Sequence, residues 1–438
     1  MGFRFKLVLI LIVISSFFVA CYLSYSYLIN TNKSFQFRSV ETITTQSLKI
    51  SKNIRILFAG DVMLNRGVEN KILKNNKNFS YPFINIYNYL HSFDYVVVNL
   101  EGPVSSRGKK VGSKYSFRMN PRVIESFEKV NINVLNLANN HIFDYGKEAL
   151  EDTITLLKEN NLYYYGVGDA NLAYEPLILE KEGVKIGILG FSDFLKHLKP
   201  ENNKIGIAVV DEKISEYIKK AKEKVDILIV TFHWGEEYKT IHNKRQEEIA
   251  KKSILAGADL IIGHHPHVIQ DIKVFQDKFI FYSLGNFVFD QNFSKETMIG
   301  GLVEVEINPI SKKINNIYFR KSFLNSDFQI EKISQPFLVY NLNGNPLLLK
   351  IADEPKEWER GLMFVRKPVD FDGMIFLFPD KQIRYFWNKN TFVDLDVYWL
   401  DDDKIISREF LPSIEKTKEI YTIKSPEPVN KVIEVIIK

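Results

Sequence analysis

The stretch Leu260-Ile261-Ile262-Gly263-His264-His265-Pro266-His267 decides the fold, because a run of large apolar residues stops at a glycine and histidines follow it. An apolar run of this length is typical of a central strand in a parallel sheet, which is buried on both faces. Open α/β sheets bind their ligands at the carboxyl ends of such strands. The histidines therefore lie where a binding site is expected.

The spacing of these histidines favours a shared ligand. Neutral imidazole is the commonest metal-binding side chain in proteins. Residues two apart in an extended chain point to the same side, so we expect His265 and His267 to face one space. A histidine-rich surface turn is the alternative that this stretch alone leaves open.

Other apolar runs along the chain also end in side chains with oxygen or nitrogen donors. These are residues 54–59 before Asp61, 95–98 before Glu101, 134–138 before Asn140 and His141, 186–189 before Asp193, and 227–232 before His233. Between the runs lie helical patterns, such as 148–160 and 244–256. Strands that alternate with helices predict a layered α/β domain with a largely parallel sheet. We expect the polar side chains to converge on one metal site at the strand ends.

Composition places the chain among ordinary globular proteins. Its 438 residues, of which 45% are hydrophobic and 25% charged, are enough for two domains with normal cores. The net charge of +5 is spread along the chain rather than gathered into one basic block, so nucleic acid is not an expected partner. Cys21 is the single cysteine, which excludes an internal disulfide and leaves stability to packing.

The second half of the sequence changes character. Alternating residues at 301–307 and 313–319 indicate antiparallel strands that close the first domain. The polar stretch 325–337 is the expected boundary, and short aromatic-rich strand candidates follow it. We therefore expect an α/β domain at residues 53–330 and a small β-rich domain at residues 338–438.

The N-terminal segment predicts a membrane anchor. Residues 7–29 carry no charged side chain, and one transmembrane helix needs about 20 apolar residues. Basic side chains within residues 1–6 favour a cytoplasmic N-terminus, so a polar tether at residues 30–52 and the globular part would lie outside the cytoplasm. The alternatives are a cleaved signal peptide and a lipoprotein anchored through Cys21.

The motifs at the strand ends resemble those of one protein family. They are Gly60-Asp61-Val62-Met63-Leu64, Asn99-Leu100-Glu101-Gly102, Leu137-Ala138-Asn139-Asn140-His141, Phe232-His233-Trp234-Gly235, Gly263 to His267, and Ser283-Leu284-Gly285-Asn286-Phe287. In this order, over residues 54–307, they resemble the CapA/PgsA family. This family is associated with the synthesis and export of poly-γ-glutamate capsules in bacteria and is similar to calcineurin-like metallophosphatases. The resemblance implies a four-layer αββα sandwich.

The resemblance also implies a role for each polar residue of the cluster. Two metal ions held close together can bind a phosphoryl group and activate a water molecule. Asp61 and His267 would hold one divalent ion, Asn140, His233 and His265 would hold a second, Glu101 would bridge the two, and His141 would be the catalytic general acid or a charge stabiliser.

One position departs from the pattern of calcineurin-like enzymes. These enzymes usually have a histidine ligand two residues after the first aspartate, and Met63 stands at that position here. A thioether suits soft metals, so either Asn65 or water completes the first ion's ligands, or the site binds one ion only. The mixed nitrogen and oxygen set is compatible with Mn, Fe or Zn.

A second resemblance covers the C-terminal part of the chain. Residues 359–363, 372–376 and 386–391 look like a bacterial domain-of-unknown-function family, number 192, with Asn388 where that family usually has methionine. The family offers no agreed activity. A small aromatic-rich β domain without clustered histidine or cysteine is expected to be a binding or structural module.

These observations together predict a membrane-anchored, extracytoplasmic CapA-like protein that acts in the synthesis, export or attachment of an anionic cell-surface polymer. Its partners would be the polymer or a phosphoester substrate and membrane synthase subunits. Its metal site would hydrolyse or transfer at a phosphoester or polymer end. Two alternatives stay open. One is a non-catalytic binding protein with a vestigial metal site, which Met63 favours, and the other is a secreted metallophosphoesterase.

Overall fold

A computed structural model describes residues 52–111, 114–202 and 204–437. The predicted anchor at residues 7–29, Cys21 and nearly all of the predicted tether lie outside these ranges. Within the described part, no helix combines the length and the apolar character that crossing a bilayer requires.

The strands fall into two groups along the chain. Those before residue 285 are β1 (Ile54–Val62), β2 (Tyr95–Leu100), β3 (Val134–Asn136), β4 (Tyr163–Tyr165), β5 (Val167–Gly168), β6 (Leu177–Lys181), β7 (Val184–Ser192), β8 (Gly206–Ile207), β9 (Ile227–His233), β10 (Leu260–His264), β11 (Ile272–Phe275) and β12 (Lys278–Phe281). Those after it are β13 (Asn286–Val288), β14 (Ile299–Asn308), β15 (Lys313–Leu324), β16 (Ile330–Ile333), β17 (Phe337–Leu342), β18 (Asn345–Ala352), β19 (Gly373–Gln382), β20 (Tyr385–Trp387), β21 (Leu395–Asp401), β22 (Lys404–Leu411), β23 (Thr422–Lys424) and β24 (Val429–Ile436).

The helices are short and lie mainly in the first part of the chain. They are α1 (Arg66–Lys74), α2 (Tyr87–Leu90), α3 (Val123–Lys129), α4 (Gly146–Glu159), α5 (Ile214–Lys222), α6 (Lys244–Leu255), α7 (Pro355–Arg360) and α8 (Ile414–Thr417), with 3₁₀ turns at Tyr81–Ile86, Lys196–Leu198 and Glu296–Met298. Helix α6 begins at a capping box, in which Asn243 and Gln246 each accept the other's backbone N–H. Helices α4 and α6 occupy the two predicted helical patterns.

The large strands form two sheets. The order in the first is β22-β21-β24-β19-β18-β17-β15-β14-β1-β2-β3-β4, with β13 paired to β1 and β16 to β15, and the order in the second is β11-β12-β10-β9-β7-β6. Strands β1 to β4 are parallel neighbours, and so are β7, β9, β10 and β12. The predicted α/β class is confirmed, although β14 lies antiparallel to β1 and makes the first sheet mixed.

The two sheets share one apolar core, and helices cover their outer faces. Alternation along β1 shows how this arises, because Ile56 and Phe58 face the core between the sheets while Leu57 and Ala59 face the helices. Helices α1, α3 and α4 pack on the first sheet, and α5 and α6 pack on the second. The layers in this part of the chain are therefore helices, sheet, sheet and helices.

The first sheet continues through the predicted domain boundary. Tyr318 of β15 pairs with Leu338 of β17, and the polar stretch 325–337 contains β16, which also pairs with β15. Strands β17 to β24 then enclose a second core around Phe376 and Trp399. The sequence changes from α/β to β-rich within one continuous sheet, and a domain boundary between residues 330 and 338 stays a prediction.

Candidate metal centre

A cluster of polar side chains lies at the carboxyl ends of the parallel strands β1, β2, β3, β9 and β10. Within the cluster, every predicted site residue is buried apart from the half-buried Asn140. The structure brings together Asp61, Glu101, Asn140, His141, His233, His265 and His267.

The backbone after β10 is bent sharply where it presents the histidines. Gly263 has no room for a side chain, since a Cβ there would lie 1.9 Å from the carbonyl oxygen of Tyr282. His265 and His267 have φ angles of 98° and 60°, a region that residues other than glycine adopt uncommonly. The extended backbone assumed from the sequence is thus absent here, although both imidazoles still reach the cluster.

Glu101 lies among the imidazoles. Its Oε1 atom is 3.6 Å from Nε2 of His267 and 3.7 Å from Nε2 of His141, which is too far for hydrogen bonds. Among the described residues, this buried oxygen has no hydrogen-bond partner. Two atoms bound to one metal ion at about 2.0–2.2 Å lie roughly 3 to 3.7 Å apart. The spacing therefore fits ligands of a shared cation.

Asp61 and His267 form one side of the cluster. Oδ1 of Asp61 accepts a hydrogen bond from Nδ2 of Asn99 at 2.8 Å, and Oδ2 lies 3.4 Å from Nδ1 of His267. Nδ1 of His267 also lies 2.9 Å from Oδ1 of Asn286, to which it donates. Burial opposes a charge on His267, but Glu101, Asp61 and Asn286 outweigh it and raise the pKa of His267 to about 9. A metal ion at Nε2, which faces Glu101, would therefore take the place of a ring proton.

His233 and Asn140 form the opposite side. Nε2 of His233 lies 2.7 Å from Oδ1 of Asn140, so these two predicted ligands are hydrogen-bonded to each other. Ligand atoms of Asp61, Glu101 and His233 all lie within 4.8 Å of one another. A cation bound by both residues would take the place of the proton that Nε2 of His233 donates to Oδ1 of Asn140.

The imidazole of His141 is oriented by a carboxylate. Its Nδ1 atom lies 2.7 Å from Oδ2 of Asp144, and the same oxygen accepts the backbone N–H of Phe117 at 2.8 Å. The phenyl ring of Phe117 packs against the imidazole, with 4.2 Å between the ring centroids. With Nδ1 protonated by this contact, Nε2 is free to accept or donate a proton on the side that faces Glu101.

Burial and neighbouring charges set the protonation states of the cluster. Burial opposes a charge on Asp61, but hydrogen bonds and charges from His264 and His267 outweigh it and hold the pKa of Asp61 well below its usual range. Burial raises the pKa of Glu101 well above its usual range. Burial lowers the pKa of His233 strongly and that of His265 to about 3. Both imidazoles are therefore neutral near pH 7, the form that binds metals.

The donor set fits a divalent cation. Oε1 of Glu101 and Nδ1 of His265 are buried without hydrogen-bond partners in the described part of the chain, and each such atom costs about 1–3 kcal/mol when left unpaired. A cation would satisfy both atoms. A further group, Glu237 with His265 and His267, also places its ligand atoms within 4.8 Å of one another.

Met63 is buried beside this cluster and is engaged elsewhere. Its side chain packs with Phe117 and Phe289, and its sulfur accepts the backbone N–H of Asn65 at 3.2 Å. Nδ2 of Asn65 donates to Oε2 of Glu69 at 2.9 Å. Met63, which stands in place of the usual histidine, and the amide nitrogen of Asn65, the residue predicted to complete the ligand set, therefore already have partners inside the protein.

Sequence reasoning assigned no metal-binding or catalytic role to Asn99, Asp144 or Asn286, which the structure places within the cluster. Asn99 lies two residues before Glu101, and the period of two in a strand would have placed both on one side. Asp144 follows His141 by three residues in a turn, where no periodicity applies. His264 ends β10, buried, with Nδ1 3.4 Å from Oδ1 of Asp61.

Comparison with known sequences identifies the family. The profile of the bacterial capsule synthesis protein family PGA_cap matches residues 55–291, more than half of the chain. This chain belongs to that family. A second profile, that of an uncharacterized family known as domain of unknown function 192, matches residues 339–436. The family member is thus fused to this second module, as the sequence motifs predicted.

Two relatives come from Bacillus. The capsule biosynthesis protein CapA of Bacillus anthracis is 34% identical over 270 residues, which cover 58% of this chain. The PGA biosynthesis protein CapA of Bacillus subtilis is 36% identical over 244 residues, which cover 54% of this chain. The match spans 64% of the length of each relative.

Among solved structures, a phosphatase from Mycoplasma pneumoniae is similar at 17% identity and a TM-score of 0.39, over 62% of this chain and 94% of that one. A TM-score at this level supports no detailed comparison. The fold therefore rests on the strand order and packing described above.

Proposed function

We propose that this protein acts in the synthesis, export or attachment of an anionic polymer of the poly-γ-glutamate type, by metal-dependent hydrolysis or transfer at the cluster. Membership of the capsule synthesis family and the names of the two Bacillus relatives support the polymer. The observation that carries the chemistry is the unpaired, buried Oε1 of Glu101, which faces two imidazole nitrogens at 3.6 and 3.7 Å.

The residues that would hold metal follow from the contacts in the cluster. One or two divalent ions, with Mn, Fe and Zn all compatible with the donors, would polarise a phosphoester or carbonyl oxygen and lower the pKa of a bound water. Asp61 and His267 would hold one ion, Asn140, His233 and His265 the other, and Glu101 would be shared between them. This division is the one that the resemblance to calcineurin-like metallophosphatases implies.

His141 would carry the proton in the proposed reaction. Because Asp144 keeps Nδ1 protonated, Nε2 is the atom that would donate to or accept from the leaving oxygen. Aromatic rings flank the imidazoles, with Phe194 4.3 Å from His265 and Phe289 4.8 Å from His267 between ring centroids. These rings limit the access of water and strengthen the electrostatic interactions within the site.

Measuring the metal content of purified full-length protein tests the proposal. We expect stoichiometric transition metal in the wild type and a large loss in Glu101→Gln. The matched control is Glu304→Gln, which changes an equally buried glutamate that is paired with Arg320. Metal-replete wild type should cleave a chromogenic phosphodiester or shorten poly-γ-glutamate, and His141→Ala should not. Only trace metal in the wild type would contradict the proposal.

Met63 supports a second candidate, a non-catalytic protein that binds polymer or synthase subunits. The buried thioether stands where a histidine ligand is usual, and its sulfur already accepts a hydrogen bond. This candidate is favoured if the wild type binds metal and polymer while His141→Ala leaves every measured rate unchanged. The two candidate functions share the fold and differ in whether His141 takes part in a reaction.

We also propose that residues 7–29 anchor the protein with its globular part outside the cytoplasm. The uncharged length of this segment supports an anchor. Cell fractionation tests it, because an anchored protein stays full-length in the membrane pellet. A protease added to cells whose cytoplasmic membrane is closed and whose outer layers are removed should degrade the globular part. A full-length or shortened protein in the soluble fraction would instead favour the secreted metallophosphoesterase.

A further inference from the structure

A carboxyl group is buried in the C-terminal part of the chain, and one of its oxygens has no hydrogen-bond partner among the residues that the structure describes. Glu434 lies in β24, between β19 and β21, where it pairs with Met374 and Val397. Its side chain lies on the same side of the strand as Val432 and Ile436, which belong to an apolar core. Glu434 is 4% exposed, and its Oε2 has no hydrogen-bond partner among residues 52–111, 114–202 and 204–437.

This glutamate costs stability where it stands. A buried polar group without a partner is unfavourable, and an aliphatic residue at this position would pack without that cost. Burial raises the pKa of Glu434 to about 8. Residues that oppose stability are expected at functional sites, and the surroundings of this carboxyl group are consistent with such a site.

Glu434 borders a cavity of about 400 Å³, within the size range of small-molecule sites. Phe376 and Phe386 meet edge to face at 4.8 Å, and Trp358 lies 5.1 Å from Phe378 between ring centroids. The aromatic side chains that line the cavity are Trp358, Phe376, Phe378, Tyr385, Phe386 and Trp387.

A glycine keeps this space open. A Cβ on Gly361 would lie 3.3 Å from the ring of Phe376 and 3.8 Å from Oε2 of Glu434, so a larger side chain there would lie against the acid. Gly361 has a φ of 47°, which L residues rarely adopt. The backbone thus approaches the carboxyl group where only glycine fits well.

Both signs of charge line the cavity. Arg384 contributes a guanidinium 4.0 Å from the ring centroid of Phe378, and its buried Nε has no hydrogen-bond partner in the described chain. Glu359 and Arg360 of α7 are exposed at the cavity and also line it. Nη2 of Arg384 also pairs with the carboxylate of Asp380. A ligand with only positive charge would be repelled by Arg360 and Arg384, and one with only negative charge would offer no donor to the buried carboxyl group of Glu434.

We propose that this cavity binds the ammonium and carboxylate pair of an α-amino acid, either free or at the end of a chain. The ammonium would pair with the Glu434 carboxylate after the proton of that group is released to solvent, and the carboxylate of the ligand would bind Arg384 and Arg360. The aromatic walls would cover the rest of the molecule and add cation–π attraction for the ammonium. The inference does not rest on the proposed function, because the cavity and the metal centre share no residue.

Titration of the full-length protein with L-glutamate and L-phenylalanine tests this site. Calorimetry and tryptophan fluorescence report binding, since Trp358 and Trp387 line the cavity. We expect N-acetyl-L-glutamate, which lacks the ammonium, and the α-amide, which lacks the α-carboxylate, to bind at least about tenfold more weakly. Glu434→Gln should lose about as much affinity, and the exposed control Glu427→Gln should lose none.

A comparison with γ-glutamylglutamate identifies the source of the ligand. Tighter binding of the dipeptide than of glutamate assigns the site to a polymer end, and equal or weaker binding assigns it to free amino acids. Glu434→Met should bind neither and should resist urea better than the wild type. The proposal is overturned if no zwitterion binds at millimolar concentration, if N-acetylation has no effect, or if Glu434→Met is less stable than the wild type.

Discussion

Oδ2 of Asp144 lies 2.7 Å from Nδ1 of His141 and fixes which nitrogen of that imidazole is available for chemistry. The aspartate is itself held by the backbone N–H of Phe117, so the ring orientation is set by two contacts. In the catalytic candidate this contact would orient an acid–base group, and in the non-catalytic candidate it would only hold the ring in place. It also separates the catalytic candidate from the non-catalytic one by experiment.

Asp144→Asn should lower the turnover of a chromogenic phosphodiester by about 10–100-fold, because a partner that orients an imidazole is typically worth that much. Metal content should stay unchanged.

The matched control for this prediction is Asp271→Asn, which disrupts an aspartate–histidine pair outside the cluster. Nδ1 of His242 lies 2.9 Å from Oδ1 of Asp271, and the His242 ring stacks on Tyr282 at 3.8 Å. An equal loss of turnover in the control, or loss of metal from Asp144→Asn, would show that Asp144 acts only through structure.

Removal of metal should destabilise the wild type. A bound ion stabilises the folded state by about 2.7 kcal/mol when its free concentration is a hundred times the dissociation constant, so a chelator should lower the melting temperature. His233→Ala combined with His267→Ala should melt at one temperature with or without chelator. The exposed His91→Ala, whose ring stacks on Tyr87, should respond as the wild type does.

Met63→His should raise metal content or affinity if the first ion lacks one nitrogen ligand. The change should also reduce the free energy of unfolding of the metal-free protein by about 1–3 kcal/mol, since a polar ring replaces a thioether packed against Phe117 and Phe289. Met63→Leu is the control, because it keeps the packing and adds no donor. A stable Met63→His protein with unchanged metal content would favour the non-catalytic candidate.

The parts of the fold that the sequence predicted are those with local signals. Apolar runs that stop at polar residues located β1, β2, β9 and β10, and the strand ends then had to meet at one edge. The pairing of Tyr318 with Leu338 carried no such signal, because the register between distant antiparallel strands depends on the whole core. The continuous sheet could therefore not be predicted from composition.

The difference between local and long-range signals also applies to the metal cluster and to the cavity beside Glu434. The meeting of the predicted site residues at one sheet edge follows from their positions at strand ends, and their role as metal ligands stays a prediction. Asn286 comes from β13 far along the chain and meets His267 only in three dimensions. Glu434 was not singled out, because one glutamate in an alternating strand is ordinarily solvent-exposed. Only the structure shows that the side chain of Glu434 faces an apolar core.

Phe319→Ala should reduce the free energy of unfolding by about 3–5 kcal/mol. Phe319 is buried between the sheets, and its ring stacks on Phe281 of the second sheet with 6.2 Å between centroids. The control Phe293→Ala removes a ring that is 64% exposed and should change stability by about 0.5 kcal/mol or less. Equal effects in urea denaturation would contradict the shared core.

The pH dependence of stability should reveal Glu434. Its pKa is about 8 in the folded protein and near 4.5 when unfolded, so the folded state keeps the proton that the unfolded state loses. The contribution of Glu434 to the free energy of unfolding is therefore most favourable below pH 4.5. It falls as the pH rises to 8, by up to about 1.4 kcal/mol per pH unit. Glu434→Gln does not titrate, so the difference in unfolding free energy between variant and wild type should grow from pH 5 to pH 8 and then level off. A constant difference across this range would mean that the carboxyl group is solvated or paired in the folded protein.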